Sequence, residues 1–538
     1  MSRAKGAEVR VARHCLREAL PGALLLSIFA FLMQWKFGFG WADEGLLWYG
    51  SQRVALGDIP LLDFFSYDPA RYYWNAMIFR LAGDDGLFTL LLSCSLFGAL
   101  GLAAAWYALC RARIPALWRL SCVLVLLVGL GFPRHKIFEQ SLSLILVCVV
   151  FETLLKPESA KRWMLFGLAT GVAAIFGRNH GVFFVAAAIL TGAYLVGIGR
   201  KNLFFMGFRS FSAGVIVGYL PMILLFLGNV EFRKVFVDSV LLTSQWQLPL
   251  PIPFPWRLDW HRALTLEQLQ AIAVGLLCLL VPALYVTGGL LLPANGSVIA
   301  RHVPERLLLG AASIAGLPYL HQAFDRADFG HIAQSILPVV PVMFVLFHLS
   351  LRQPGWRRLA PVLSVGGAVV VLLAWIPSEP IVQMLRAQKA NLQSVQPLSM
   401  GNKTFLLYRS QADFLETVRT IAAKCSLKDG EFMAAPSFPG LYAFLRLKAP
   451  FWEMYYLYER APEFQRKHIA AIGNTQLILL APENTVDYLE RLKLANTYGL
   501  LLTHIREHYQ ELSIPTLPAG TVLFAKPGSC VATLEVQR

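Results

Sequence analysis

Apolar runs of membrane-crossing length recur along the first two thirds of the chain and then stop. A search for stretches of roughly 17 to 25 residues predicts helices at 20–35, 87–110, 115–132, 137–155, 163–177, 182–199, 211–228, 271–292, 307–321, 332–350 and 359–376. Beyond Ile376 the pattern becomes short and mixed. It predicts helices near 410–424, 462–472 and 496–509, and strands near 431–435, 475–482 and 521–525. The expected fold is a polytopic α-helical membrane protein with about eleven transmembrane helices in 1–376. Residues 377–538 are expected to form a C-terminal soluble α/β domain of about 160 residues, enough for a core of its own. No internal repeat, low-complexity tract or heptad array is present.

Composition agrees with that pattern. Of 538 residues 56% are hydrophobic and 15% charged, against about a quarter charged in soluble domains. The basic group Arg3–Arg17 precedes the first apolar run, and no small-residue cleavage site follows, so a retained first helix is expected.

Charge sets an orientation. With the N-terminus cytoplasmic, the inside segments hold nineteen Lys/Arg and the outside loops twelve. Eleven spans then place 377–538 outside the cytoplasm, as in a bacterial inner membrane. The net charge is +15, and the 17 Lys/Arg and 14 Asp/Glu of the tail account for little of it. Nucleic-acid binding is excluded as a reading, since no basic aromatic platform or recognition helix occurs.

The same orientation collects the polar clusters on the outer side: Asp43 and Glu44; Arg134, His135 and Lys136; Arg178, Asn179 and His180; the loop 229–267; and Asp325, Arg326, Asp328 and His331. Cations in outer loops run against the insertion bias, and an anionic ligand is the simplest reason for them. Six cysteines lie in or near apolar helices without metal-ligand spacing. Cys425 and Cys530 share the tail, where an oxidising compartment would permit a disulfide.

The loop 36–86 carries the most specific signal. Behind Asp43 and Glu44 come Gly57, Asp58, Pro60, Asp63, Pro69, Tyr72, Tyr73 and Trp74, a mixture that suits short helices in the headgroup plane. "DEG", "GDIPLLDF" and "DPARYYWNAMIF" resemble the first outer loop of GT-C glycosyltransferases, especially the bacterial branch of protein mannosyltransferases and the lipid A aminoarabinose transferase. The resemblance is good over residues 41–80 and weak across the rest. It implies that the first-loop acid, here Asp43, lies at an active site and that the donor is a polyprenyl-phosphate sugar. Without the resemblance, a carboxylate at a helix exit is as readily a solvated group.

The chemistry supports this reading. Displacing a lipid phosphate from an anomeric carbon needs a base for the acceptor hydroxyl, and Asp43 is of the right type, with Glu44 beside it. It needs cations on the departing phosphate, for which Arg134, Lys136, Arg178 and Arg326 are available. One evident base predicts direct attack with inversion.

Three further motifs admit two readings each. "FGRNHGVFF" is either a solvated helical hairpin or a phosphate or sugar contact through Arg178 and His180; the family often has a basic turn there. "RADFGH" matches an Arg-x-Asp-x-x-His pattern of related transferases and nominates Arg326, Asp328 and His331 as donor-phosphate or acceptor contacts, while Asp328 could equally cap the next helix. "FPRHKIFEQ" departs from the family, where many members carry a second acid here, sometimes metal-bound. Arg134 and Lys136 would be phosphate ligands or a headgroup anchor. Asp43, Glu44 and Glu139 could form a hard-cation site, but no spacing demands a divalent metal ion.

The loop with Trp246, Trp256 and Trp260 reads as a lid or as a passive interfacial loop. Trp452, Tyr455, Tyr456 and Tyr458 read as sugar-stacking or as packing groups.

The expected function is a membrane glycosyltransferase that moves a sugar from a polyprenyl-phosphate donor to a glycan, lipid or protein acceptor, with membrane lipid around it. A secondary transporter would bury its polar groups near mid-bilayer, where these spans carry almost none. A non-catalytic envelope assembly protein is the other alternative.

Overall fold

The computed structural model describes residues 2–244, 264–294, 304–325, 328–351, 359–390, 394–456, 458–484, 489–514 and 517–534. Arg326 and the Trp246–Trp260 loop lie outside the described residues. The chain divides into two compact units. One comprises Met1–Met33, Leu91–Arg233 and Val240–Val382; the other comprises Gln34–Leu90, Lys234–Ser239 and Gln383–Arg538.

The helices run in chain order α1 (Ser2–Gln34), α2 (Asp43–Ala55), α3 (Ala70–Ala82), α4 (Leu87–Arg111), α5 (Ala116–Gly129), α6 (Ile137–Leu155), α7 (Ala160–Phe176) and α8 (Arg178–Gly197). They continue with α9 (Lys201–Gly228), α10 (Val230–Ser244), α11 (Leu266–Leu290), α12 (Pro304–Asp325), α13 (Phe329–Ser335), α14 (Val339–Ser350), α15 (Leu359–Trp375) and α16 (Pro380–Lys389).

Every predicted apolar run falls on a helix among the described residues. Among the described residues seven are long and apolar enough, and nine if two bent pairs each count as one span: α13 with α14, bent by 59°, and the end of α15 with α16, bent by 68°. The runs at 115–132 and 163–177 form α5 and α7, of 14 and 17 residues. Both are short for apolar helices, and α7 stands at the lower end of spanning length. Pro115 precedes α5, and Gly177 ends α7 in an extended conformation.

The first unit is an integral-membrane helix bundle. Large apolar side chains face outward along it, among them Leu25, Phe29, Val182, Ile189, Ile216 and Leu224, a surface suited to lipid. Its closest packing is between α7 and α9. A β-carbon added to Gly167 would stand 1.9 Å from the Phe211 carbonyl oxygen, and one on Gly218 would stand 2.3 Å from that of Leu168. Gly171 and Gly214 meet the opposite backbone in the same way. The two small-xxx-small pairs, 167/171 and 214/218, thus let the backbones touch.

Polar charge collects at one end of this bundle. Glu8 of α1 pairs with Arg162 at 2.8 Å and with Lys156; Glu152 of α6 pairs with Arg111 and Arg162, each at 3.0 Å. Glu18 accepts from Arg119 at 2.6 Å and from the Trp106 indole at 2.9 Å. Nearby, Cys15 and Cys110 are bonded.

The second unit has an aqueous-type core. Its remaining elements are β1 (Val395–Met400), β2 (Lys403–Tyr408), α17 (Arg409–Lys424), β3 (Phe432–Ala435), α18 (Pro439–Leu445), α19 (Pro462–Ala471), β4 (Leu477–Leu480), α20 (Leu494–Thr497), α21 (Gly499–His508), β5 (Gln510–Leu512), β6 (Val522–Ala525) and α22 (Cys530–Thr533). The sheet order is β3-β4-β6-β5, with β3 and β4 parallel and the remaining pairs antiparallel.

The helices and strands expected in the tail are present to within about three residues. The β1–β2 hairpin, turning at Gly401 (φ 63°), and helix α18 were not expected. Cys425 and Cys530 are bonded, with S–S 2.08 Å.

The segment Gln34–Leu90 packs into this same unit. Lys36 and Gly38 exchange backbone hydrogen bonds with Leu406 of β2. Helix α2 is buried along most of its length rather than lying free in a headgroup plane, because α18 covers it. A β-carbon on Gly45 would sit 2.4 Å from Gly440, so both glycines are needed for that approach. Helix α3 does present an exposed apolar stripe, Tyr73, Met77 and Leu81, opposite buried Tyr72, Ala76 and Phe79, the pattern of an interfacial helix.

Candidate functional site

Asp43 and Glu44 occupy the first turn of α2, facing the positive end of the helix dipole. Glu44 is buried, and its Oε1 accepts from the Gly40 amide at 3.2 Å. Asp43 is half-buried, and its Oδ1 receives two phenols: Tyr67 donates at 3.2 Å and Tyr455 at 3.1 Å. Burial, and next the charge of Asp43, push the Tyr67 phenol well above its ordinary range. Tyr67 is therefore a neutral donor at any physiological pH.

The frame behind these phenols is aromatic and rigid. Phe65 packs on Trp452, Tyr458 and Tyr455 at ring-centre distances of 5.5, 6.4 and 6.5 Å. The Trp452 indole donates to the Leu61 carbonyl at 2.8 Å, and the Phe65 amide to the Trp452 carbonyl at 2.8 Å. Of the aromatic run in the tail, Trp452, Tyr455 and Tyr458 thus serve this junction and Tyr456 lies in the sheet core. Arg71 of α3 is buried, with its guanidinium 5.4 Å from the Tyr67 ring centre. Tyr67 and Arg71 escaped the sequence reading, although Arg71 stands in the quoted "DPARYYWNAMIF" stretch and Tyr67 immediately before it.

The remaining candidates belong to the other unit, where three motifs distant in sequence come together. Arg134, His135 and Lys136 form a single 3-10 turn that leads into α6. Phe132 just before it stacks on Phe329 at the start of α13, with ring centres 5.7 Å apart and planes within 4°. That contact brings the basic turn beside Asp328 and His331. Phe138 of α6 stacks on Phe176 at 5.5 Å, which brings in the α7–α8 turn with Arg178.

Asp328 caps α13, accepting the His331 amide at 3.2 Å on Oδ1 and bonding the His331 ring through Oδ2. Capping and facing His331 are therefore one geometry, not alternatives. His180 is buried and bonded through Nδ1 to the Tyr319 hydroxyl at 2.8 Å, while Arg178 is half-buried and Asn179 exposed. Glu139, in the first turn of α6, is also buried. Among the described residues no three His, Cys, Asp or Glu gather as a metal centre.

One unit is a membrane helix bundle with basic turns at its helix ends and the other an α/β unit that presents an oriented carboxylate, which defines the class as an integral membrane protein. No family model and no curated protein matches the chain. Among solved structures it is similar to the apo crystal structure of ArnT from Cupriavidus metallidurans, at 13% identity and TM-score 0.45, covering 94% of this chain and 97% of that one. It is also similar to the Archaeoglobus fulgidus oligosaccharyltransferase tethered to an acceptor peptide with an NVT sequon, at 12% identity and TM-score 0.46, covering 95% and 74%.

Proposed function

We propose that the protein is a GT-C-type membrane glycosyltransferase that moves a sugar from a polyprenyl-phosphate donor to an envelope glycan, lipid or protein acceptor. The observation that carries this is the carboxylate of Asp43, half-buried at a helix N-terminus and gripped on one oxygen by Tyr67 and Tyr455. Two neutral phenols on one atom fix the orientation of a carboxylate, as a general base must be fixed to meet an acceptor hydroxyl.

In this reading Asp43 removes the acceptor proton as the hydroxyl oxygen attacks the anomeric carbon, the lipid phosphate departs, and the configuration inverts. The cations expected to bear the charge on a leaving phosphate are Arg134, Lys136 and Arg178 of the helix bundle, Arg326 outside the described residues, and Arg71, buried in the same unit as Asp43. Asp328 and His331, held as a pair, and His180 are contacts to donor or acceptor.

The orientation proposed is N-terminus cytoplasmic and tail extracytoplasmic, in a bacterial inner membrane. An impermeant maleimide on intact cells should label Lys467→Cys in the tail and spare Lys161→Cys at the basic helix ends; labelling of both, or the reverse, refutes it.

Function is tested with the reconstituted protein and polyprenyl-phosphate sugars. Asp43→Asn, melting like wild type, should lose transfer by about 10²- to 10⁴-fold. Equal turnover removes the assignment, and counterflow of free solute without product replaces it with transport.

A further inference from the structure

The basic end of the helix bundle holds an open-sided cavity of about 580 Å³, within the range of ligand pockets. It lies between α1, α4, α6 and α7, all within the membrane unit. Six charged side chains line it: Arg111, Lys156, Lys161 and Arg162 against Glu8 and Glu152. The two carboxylates are shared. Glu8 serves Arg162 at 2.8 Å, Arg111 at 3.6 Å and Lys156; Glu152 serves Arg111 and Arg162 at 3.0 Å each. Two positive charges are therefore in surplus, and Arg111 is only 8% exposed. Lys161 is exposed and makes no ion pair among the described residues.

A surplus of cations beside low-dielectric helices is costly unless an anion completes it. The rest of the wall is mainly apolar, and two of its members, Val9 and Leu165, are 50% and 48% exposed on the bundle surface. Cationic floor and apolar side therefore meet where lipid chains would run. A free inorganic anion would leave that apolar wall unused; an anionic amphiphile uses both.

From this juxtaposition we infer that the cavity binds the headgroup of an anionic glycerophospholipid, its phosphate among Arg111, Lys156, Lys161 and Arg162 and its chains passing out beside Val9 and Leu165. Basic pockets between membrane helices recognise such headgroups by the same chemistry. The site is separate from Asp43 and does not depend on the proposed catalysis.

Native mass spectrometry of the full-length protein tests this by titration with phosphatidylglycerol or phosphatidylcholine. Wild type should retain one phosphatidylglycerol at least about tenfold more tightly than phosphatidylcholine. Lys161→Glu, at an exposed position with no ion pair among the described residues, should weaken retention about twenty-five-fold, each charge removed being worth about fivefold; Lys161→Gln should lie between. Equal retention of the two lipids overturns the inference. So does a Lys161→Glu protein that binds as wild type, or displacement of the lipid by millimolar inorganic phosphate, which would make the site a plain anion site.

Discussion

The two compact units solve the same problem in opposite solvents. In the helix bundle the bulky apolar residues Leu25, Phe29 and Ile216 point outward, while glycines make the tightest contact, between α7 and α9. In the α/β unit the bulky residues Met433, Ile478, Tyr498 and Phe524 fill the centre, and a disulfide ties the ends of α17 and α22. Lipid offers no hydrophobic gain for helix association, so close backbone packing must supply it. Water supplies that gain to the second unit, which can then hold polar groups inside if each is paired.

The contrast is broken most severely at the glycines. Gly171→Leu places side-chain atoms where the Val215 carbonyl lies 2.4 Å from a β-carbon position, and loss of folded membrane protein on size-exclusion is expected. Gly197→Ala, with open space at the same test, should leave assembly unchanged. Next in size is the disulfide. Its 105-residue separation predicts that Cys425→Ser lowers stability of the α/β unit by about 4 to 5 kcal/mol, read as lost hydrogen-exchange protection in β4 and β6 with the helix bundle unaffected.

A smaller effect is expected at the carboxylate clamp. Tyr455→Phe removes one of the two phenols that donate to Asp43 Oδ1. Under the proposed function transfer should fall about tenfold, with kcat affected more than KM, since there the phenol would orient the base rather than bind donor.

The finest test uses two buried titrating groups of the sheet unit. Glu453 is fully buried, and burial raises its carboxyl to about 7 despite a bidentate Arg460. His468 is pushed down to about 3 by burial. The raised Glu453 contributes stability that is lost as pH rises from 4.5 towards 7. The depressed His468 contributes stability that is lost as pH falls from 6.5 towards 3. The two oppose each other between about pH 4.5 and 6.5, so wild type should be nearly flat there. Glu453→Gln should unmask a slope of about 1.4 kcal/mol per pH unit, stability rising with pH, in exchange protection of β4. A flat variant would show that His468 does not titrate on unfolding.

The same contrast explains what was legible in the chain. Apolar runs located every membrane helix, because a lipid-facing helix advertises itself through composition alone. The run at 115–132 overshot α5 by three residues at its C-terminal end, because apolar residues continue into the turn beyond Gly129. In the tail, strands β3, β4 and β6 were visible as short apolar runs, whereas β1 and β2 were not, being only partly buried along Val395–Tyr408. Asp43 stood out as a charge at a helix exit. Tyr455, which holds it, could be read only as one more aromatic residue, since its partner lies 412 positions away.

Sequence alone determined the solvent of each region, and with it the helix bundle, the α/β tail and the charged and aromatic residue types each carries, because these follow from local composition and period. Tertiary structure decided which of those residues meet. It set Tyr67 and Tyr455 on one oxygen of Asp43, joined the basic turn at Arg134 to the Asp328–His331 cap through Phe132 and Phe329, and folded the Gln34–Leu90 loop into the tail unit. Such meetings depend on chain closure over hundreds of residues, and no local pattern encodes the distance between two side chains that far apart.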